Sequence, residues 1–251
     1  MHRISKIVNE LKNRHFINKF QSYLLIFFFP ILRFLTILIS LKIKRASLKL
    51  NLNELIDFIY SSSYIFDIRP MQIRKELLNL LKIINSIKPK FILEIGTASG
   101  GTFLLLSKVA NSNALLISID FSRDPFSQVY PSWRGTLYKA FNLGEQRIYL
   151  IGGNSHALTT LKSVKKILKD EMLDLLFIDG DHSYNGVKKD FEMYSRLVKK
   201  GGIIIFHDIC PHYDKTIEVH KYWQGIKEKY KSIEIVDDWN QKEAGIGILY
   251  L

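Results

Sequence analysis

From Pro89 onward, short apolar runs alternate with longer stretches in which apolar residues recur every three or four positions. Phe91–Ile95, Leu115–Ile119, Ile148–Ile151, Leu173–Ile178 and Ile203–Phe206 are rich in Ile, Leu and Phe, four to six residues long, and stop at acidic, glycine or histidine residues. Runs of that length bounded by turn residues predict buried strands. Between them Thr102–Ala110, Gly135–Leu143, Ala157–Leu168, Tyr184–Val198 and Thr216–Tyr230 carry the helical period. Upstream, Asn53 is placed to cap a short helix with Leu55, Ile56, Phe58 and Ile59 on one side, broken by Ser61-Ser62-Ser63. A second helix, from about Met71 to Ile87, presents Leu77, Leu78, Leu81 and Ile84, and Pro89 ends it. Two last strands, Ile233–Val236 and Gly245–Tyr250, are joined by a link too short for a crossover helix, so they must run antiparallel. The pattern predicts an α/β fold: a Rossmann-like, doubly wound, mostly parallel seven-stranded sheet with a C-terminal antiparallel hairpin.

Residues 1–50 follow a different pattern. Ile4, Ile7, Val8, Leu11 and Phe16 lie near helical spacing among Arg3, Lys6, Lys12, Arg14 and Lys19, as in a basic amphipathic helix. From Tyr23 to Leu41 the chain is almost continuously apolar, interrupted by Pro30 and Arg33, and then comes the basic cluster Lys42, Lys44, Arg45 and Lys49. As a helix, that apolar stretch would be roughly 28 Å long, close to a bilayer core. Arg33 near its middle, the break at Pro30 and basic flanks on both sides fit a helix lying in the interface, or a shallow hairpin, better than a span. The alternative is a pair of helices capping the domain or a dimer interface. The chain therefore divides into a helical, hydrophobic and basic N-terminal arm, 1–50, and the α/β domain, 51–251.

Charge sharpens that division. The net charge of +12 comes mostly from the arm, which holds ten Lys/Arg against the single acid Glu10, while the rest of the chain has 26 basic and 23 acidic residues. A nearly balanced body argues against a nucleic-acid groove. The single cysteine, Cys210, excludes an internal disulfide framework and suits a reducing compartment.

The candidate chemistry sits at the strand ends, where ligands of open parallel sheets bind. The first strand runs into Glu94-Ile95-Gly96-Thr97-Ala98-Ser99-Gly100-Gly101. Its glycines permit a tight turn and close approach of a ligand. The spacing is not the Gly-x-Gly-x-x-Gly of a dinucleotide site, and an acid at Glu94 is out of place beside a phosphate but suits a cationic group. Asp120, ending the second strand, could accept both hydroxyls of a ribose, or could form a turn. Asn154 and Ser155 after the third strand could read an adenine edge, or cap the next helix. Asp179, Asp181 and His182 follow the fourth strand, and His207 and Asp208 the fifth. Carboxylates and imidazoles gathered on adjacent strand ends can bind a divalent cation, or pair as a general base.

These residues resemble the class I S-adenosylmethionine-dependent methyltransferases, and within them the branch with sugar O-methyltransferases and cephalosporin-hydroxylase-like proteins. The resemblance covers about residues 64–251 and is carried by the Glu94–Gly101 motif, by Phe177-Ile178-Asp179-Gly180-Asp181-His182-Ser183-Tyr184, and by Gly201–Asp208. It implies that Glu94, Gly96, Thr97, Ala98, Ser99 and Gly100 cradle the methionine part of S-adenosylmethionine. Asp120 would hold the ribose, Asn154 and Ser155 would lie by the adenine, and Asp179 beside the reaction centre. The catalytic set is then Asp179, His182, His207 and Asp208. Metal-dependent relatives use acidic or amide groups at the fourth and fifth strand ends, which here are Asp179, His207 and Asp208. His207 departs from an all-oxygen magnesium set and could instead be the base; magnesium or manganese is the cation in question.

The expected reaction is O-methylation of a sugar, glycan or other small hydroxylated acceptor. The arm adds a lipid-linked acceptor to the alternatives, and places the protein in the cytoplasm at the inner face of the membrane through residues 1–50. Tyr130, Trp133 and Tyr138, with Arg123 and Arg134, could form a carbohydrate-facing lid, or pack in the core. A membrane surface and a second copy of the chain are the other candidate partners; nucleic acid is not. Two competing readings remain: a non-catalytic, membrane-tethered nucleotide-fold protein, and a serine hydrolase. In the latter, Gly153-Asn154-Ser155-His156-Ala157 would be a nucleophile elbow, with Asp179 and His207 completing a triad.

Overall fold

The computed structural model describes residues 31, 33–61, 68–121 and 132–251. The expected helix over 1–20, the apolar stretch up to Pro30, and Arg123 and Tyr130 of the candidate lid lie outside them. The elements are helix α1 over residues 33–49, then α2 (Leu52–Ser61), α3 (Arg74–Ile87), β1 (Phe91–Ile95), α4 (Gly101–Val109), β2 (Leu115–Asp120), α5 (Ser132–Lys139), β3 (Arg147–Gly152) and α6 (Leu158–Leu168). They continue with β4 (Leu173–Ile178), α7 (Tyr184–Tyr194), β5 (Val198–His207), α8 (Val219–Ile226), β6 (Lys231–Ile235) and β7 (Ile246–Tyr250).

The sheet order is β3-β2-β1-β4-β5-β7-β6. The first five strands are parallel, with Ile92 opposite both Leu116 and Leu175. β7 runs antiparallel to both neighbours, its Tyr250 facing Ile203 of β5 and Lys231 of β6. Successive residues of each inner strand alternate between two cores. Ile92, Leu116, Leu175, Phe177, Ile203 and Ile205 pack with α2, α3, α4 and α5. Leu93, Ile117, Leu176, Ile178, Ile204 and Phe206 pack with α6, α7 and α8. Burial on both faces is why these strands read as unbroken apolar runs. The order reverses between β1 and β4, which opens a crevice at their carboxyl ends.

Three local expectations are corrected. The cap of α2 is Asn51, not Asn53: Asn51 Oδ1 accepts from Glu54 N at 3.0 Å and Glu54 Oε2 accepts from Asn51 N at 2.9 Å, a reciprocal capping box. α7 stops at Tyr194, short of Val198, and a 3-10 turn over Ser195–Leu197 follows. Val198 is already in β5, paired with Leu173, and a bulge near Leu175 absorbs the polar stretch before Ile203. α8 starts at Val219 rather than Thr216, because Asp214 Oδ1 accepts from the N–H and hydroxyl of Thr216 and so turns the chain.

Candidate active site

The crevice is formed where the glycine loop after β1 meets the turn after β4. Gly96 has φ +90°, and a Cβ there would lie 1.9 Å from the carbonyl oxygen of Asp179, so only glycine lets the two loops touch. Asp179 N donates to Ile95 O and Gly96 N to Ile119 O, each at 2.9 Å, which ties three strand ends together. At the far side of the loop Tyr138 packs against Gly100 and donates from its hydroxyl to Ala98 O at 2.7 Å. Tyr138 is thus a buried prop of the loop, not part of a lid.

Beneath the loop, Glu94 is buried and its Oε2 has no hydrogen-bond partner. Burial pushes its carboxyl well above the usual carboxylate range, the charges of Asp179 and Asp120 push the same way, and a hydrogen bond from Thr97 only partly opposes them. Thr97 is itself fixed by Ser118, hydroxyl to hydroxyl, at 2.5 Å. Ser99 reaches outward, donating to Arg69 O at 2.6 Å.

At the ends of β4 and β5 the acids and histidines form one connected cluster. His207 Nδ1 lies 3.1 Å from Asp179 Oδ1 and 3.1 Å from Asp208 Oδ1. Asp208, in a left-handed conformation at φ +63°, also meets His182 Nδ1 through Oδ2 at 2.8 Å and His212 Nε2 through Oδ1 at 3.0 Å. Burial alone would keep the His207 ring neutral, but the two flanking carboxylates outweigh it and hold the ring's pKa well above the ordinary value. Asp208 has the converse balance: burial raises its carboxyl, and hydrogen bonds from His182 and His207 bring it far below the usual range. The hydrogen bond to Asp208 raises His182. A buried imidazolium whose Nδ1 is shared by two carboxylates is a poor proton acceptor, whereas His182 is half-exposed.

These groups line a cavity of about 270 Å³ with Gly96, Thr97, Ser99 and Thr102 on one wall and Glu243 and Ala244 on another. Among the described residues, no lysine or arginine lines it. A cavity lined by Asp179, Asp208 and Glu243 without lysine or arginine among the described residues suits a ligand carrying positive charge and disfavours a bare phosphate. The donors therefore fit the sulfonium and ammonium groups of S-adenosylmethionine.

Asp120, Asn154 and Ser155 lie outside this cavity. Asp120 ends β2, where its carbonyl accepts from Gly153 N at 3.0 Å. Asn154 Oδ1 accepts from His156 N at 2.8 Å, so that oxygen shapes its own turn. Of the hydrolase triad, the acid and the base do meet, Asp179 Oδ1 lying 3.1 Å from His207 Nδ1, but His207 Nε2 is buried without a hydrogen-bond partner and so makes no bond to Ser155.

The metal-ligand trio differs from the one the sequence suggested. One ligand atom each from Asp179, His182 and Asp208 lie within 4.8 Å of one another. His182 thus takes the place expected of His207.

Two contributors carry no sequence signal. Gln72, just before α3, donates from Nε2 to Asp179 Oδ2 at 2.7 Å, and its Oε1 accepts from the Thr102 hydroxyl at 2.7 Å. Glu76 of α3 is buried and accepts from Asp237 N at 3.0 Å, Gln241 Nε2 at 2.9 Å and Gly245 N at 3.0 Å, holding the β6–β7 connection that carries Glu243 and Ala244. Apart from Thr102, their partners lie more than a hundred residues away. His212 did have a local cue, standing four residues after Asp208.

The fold is Rossmann-like, and its β1–β4 crevice is lined by acids and histidines without lysine or arginine among the described residues. Residues 93–209 match the family model described as a methyltransferase domain. Over that stretch, just under half of its length, the chain is similar to methyltransferase domains. Among solved structures, the O-methyltransferase from Bacillus cereus in complex with SAH has a TM-score of 0.54 at 17% identity, covering 84% of this chain and 91% of that one. The O-methyltransferase TomG from Streptomyces achromogenes, involved in tomaymycin synthesis and solved with SAM, has a TM-score of 0.54 at 16% identity, covering 84% and 96%. At these identities the likeness establishes the fold. An uncharacterized protein of Sinorhizobium fredii is 22% identical over 175 residues, 67% of this chain and 18% of its own length. The chain spans 16% and 18% of the lengths of the curated relatives it matches.

Proposed function

We propose that this protein transfers the methyl group of S-adenosylmethionine to a hydroxyl of a small acceptor, with a sugar, glycan or lipid-linked glycan as the acceptor class. The observation that carries the reading is the cavity at the β1–β4 crevice, which combines the carboxylates of Asp179 and Asp208, an absence of Lys and Arg among its described lining residues, and a half-exposed histidine. The bound cofactor supplies a methyl already activated by its sulfonium, so the protein's work is alignment and proton removal. Glu94 and the loop Gly96–Gly100 would hold the methionine end, and Asp120 the ribose. With Oδ1 engaged by His156 N, Asn154 would meet the adenine edge through its amide nitrogen, beside Ser155. His182, oriented through Nδ1 by Asp208, keeps Nε2 for the acceptor's proton. His207 serves as a fixed positive charge that lets Asp179 and Asp208 stand side by side ionised.

The convergence of Asp179, His182 and Asp208 supports a second reading, in which these three hold a divalent cation that polarises the acceptor hydroxyl. Two carboxylate oxygens with one imidazole nitrogen favour manganese over magnesium. In that case His182 is a ligand and not the base. We place the protein at the inner face of the cytoplasmic membrane through its arm, a placement supported by the surface of α1.

Calorimetric titration of the full chain with S-adenosylmethionine, with and without magnesium or manganese, tests both readings. The first expects binding without metal that Asp120→Ala weakens at least tenfold; the second expects manganese to tighten it and His182→Ala to abolish that gain. A folded protein that takes up no S-adenosylmethionine under either condition would overturn the assignment.

A further inference from the structure

Helix α1 is apolar on two sides. Toward the protein, Ile43 joins the core with Ile39 and Ala46 packed beside it, while Thr36, Ser40 and Ser47 are also buried and Ser40 Oγ donates to Thr36 O at 2.7 Å. Phe34, Ile37, Leu38, Leu41 and Leu48 are 60%, 42%, 46%, 60% and 63% exposed. At 3.6 residues per turn the centres of these two stripes lie roughly 130° apart around the helix. A helix that only capped the domain would carry polar residues on that second, outward side.

The charges on the same helix say what covers this face. Residues 31–50 contain Arg33, Lys42, Lys44, Arg45 and Lys49 and no acid. Arg33, Lys42, Arg45 and Lys49 are exposed. Lys44 is the one that turns to the body, donating to Asn142 Oδ1 at 3.2 Å. Among the described residues no helix is long and apolar enough to cross a membrane. An apolar ridge bordered only by cations complements a layer of anionic headgroups over acyl chains, where the ridge enters the acyl boundary and the long basic side chains reach the phosphates.

We infer that the outward face of α1 docks the protein onto an anionic lipid surface, lying in the interface. This does not depend on the methyl-transfer reading, and its test needs neither cofactor nor acceptor. The full chain is sedimented with vesicles of phosphatidylcholine alone, and with vesicles in which a third of the lipid is phosphatidylserine. The expected result is binding to the anionic vesicles at least tenfold stronger than to the neutral ones, weakened by raised salt. Leu38→Glu with Leu41→Glu should cut it at least a further tenfold, while the circular dichroism and melting temperature stay unchanged, because both positions face solvent. Equal affinity for the two vesicle types overturns the inference. So does binding that the double variant leaves intact, since residues 1–30 would then carry it alone. A dimer in light scattering that the double variant dissociates, without vesicle binding, assigns the face to a second copy and likewise overturns it.

Discussion

Replacing Glu76 with alanine should loosen the protein by an amount that can be worked from its three hydrogen bonds. Glu76 accepts from two backbone N–H groups, of Asp237 and Gly245, and from the Gln241 amide. Alanine leaves all three donors without that partner. A buried donor left unsatisfied costs about 1–3 kcal/mol. Gln241 retains its bond to Glu243 O at 2.7 Å, and Asp237 lies near solvent, so water can repair part of the loss. The sum is about 2–4 kcal/mol, a large share of a typical domain's ~5–15 kcal/mol. In urea, with a slope of roughly 3 kcal/mol per molar, the unfolding midpoint should fall by about 1 M. Glu76→Gln keeps one acceptor oxygen and should fall by about half as much. Equilibrium unfolding followed by circular dichroism and by tryptophan fluorescence reads both variants. A midpoint for the alanine variant within about 0.2 M of the parent would show that the carboxylate is not what anchors the β6–β7 connection.

Gly96→Ala should abolish S-adenosylmethionine binding or folding, because its methyl would lie 1.9 Å from Asp179 O at a φ of +90°; a variant with parental melting temperature and affinity would refute the contact. Gln72→Leu removes a hydrogen bond to a carboxylate worth roughly 1.5–3 kcal/mol, so calorimetry should show S-adenosylmethionine affinity weakened about tenfold or more; unchanged affinity would mean that Asp179 is held well enough by His207 alone. For pH, the His182 base must be neutral to act, and its hydrogen bond to Asp208 raises its pKa above the ordinary 6.5. The methyl-transfer rate should therefore climb with pH along a limb lying above 6.5, and Asp208→Asn should move that limb to lower pH. A rate already flat by pH 6 would exclude His182 as the base.

The sheet was legible because its inner strands are buried on both faces and show as apolar runs, each stopped by a turn or polar residue. Glu94, Asp120, Asp179 and His207 all stand within one residue of the ends of observed strands. The antiparallel hairpin followed from the length of one connection, though not its insertion with β7 inward of β6, which depends on pairing. Helix ends were less legible. The box that starts α2 is a reciprocal pair, Asn51 with Glu54, and a lone capping residue two positions later offers an equally good local signal. Gln72 and Glu76 were invisible because nothing near them in the chain is polar in a telling pattern; their partners are Asp179 and Gly245. Lid and core were equally open for Tyr138 because an aromatic in a polar stretch serves either, and only the glycine loop it supports decides for the core. The roles of His182 and His207 could not be separated by spacing, since what distinguishes them is that His207 alone has both carboxylates on one nitrogen.

The position of β7 has a consequence for how the protein must be made. β5 ends in Ile203-Ile204-Ile205-Phe206, and the open edge of that strand is covered only when Gly247–Tyr250 pairs along it. β6, synthesised earlier, has β7 as its sole sheet neighbour. Until residues 246–250 join the sheet, the folding chain therefore shows water a bare, strongly β-forming edge with its backbone groups ready to pair, a template for other chains. Chains clipped within this hairpin should be recovered as aggregates rather than as a smaller folded domain.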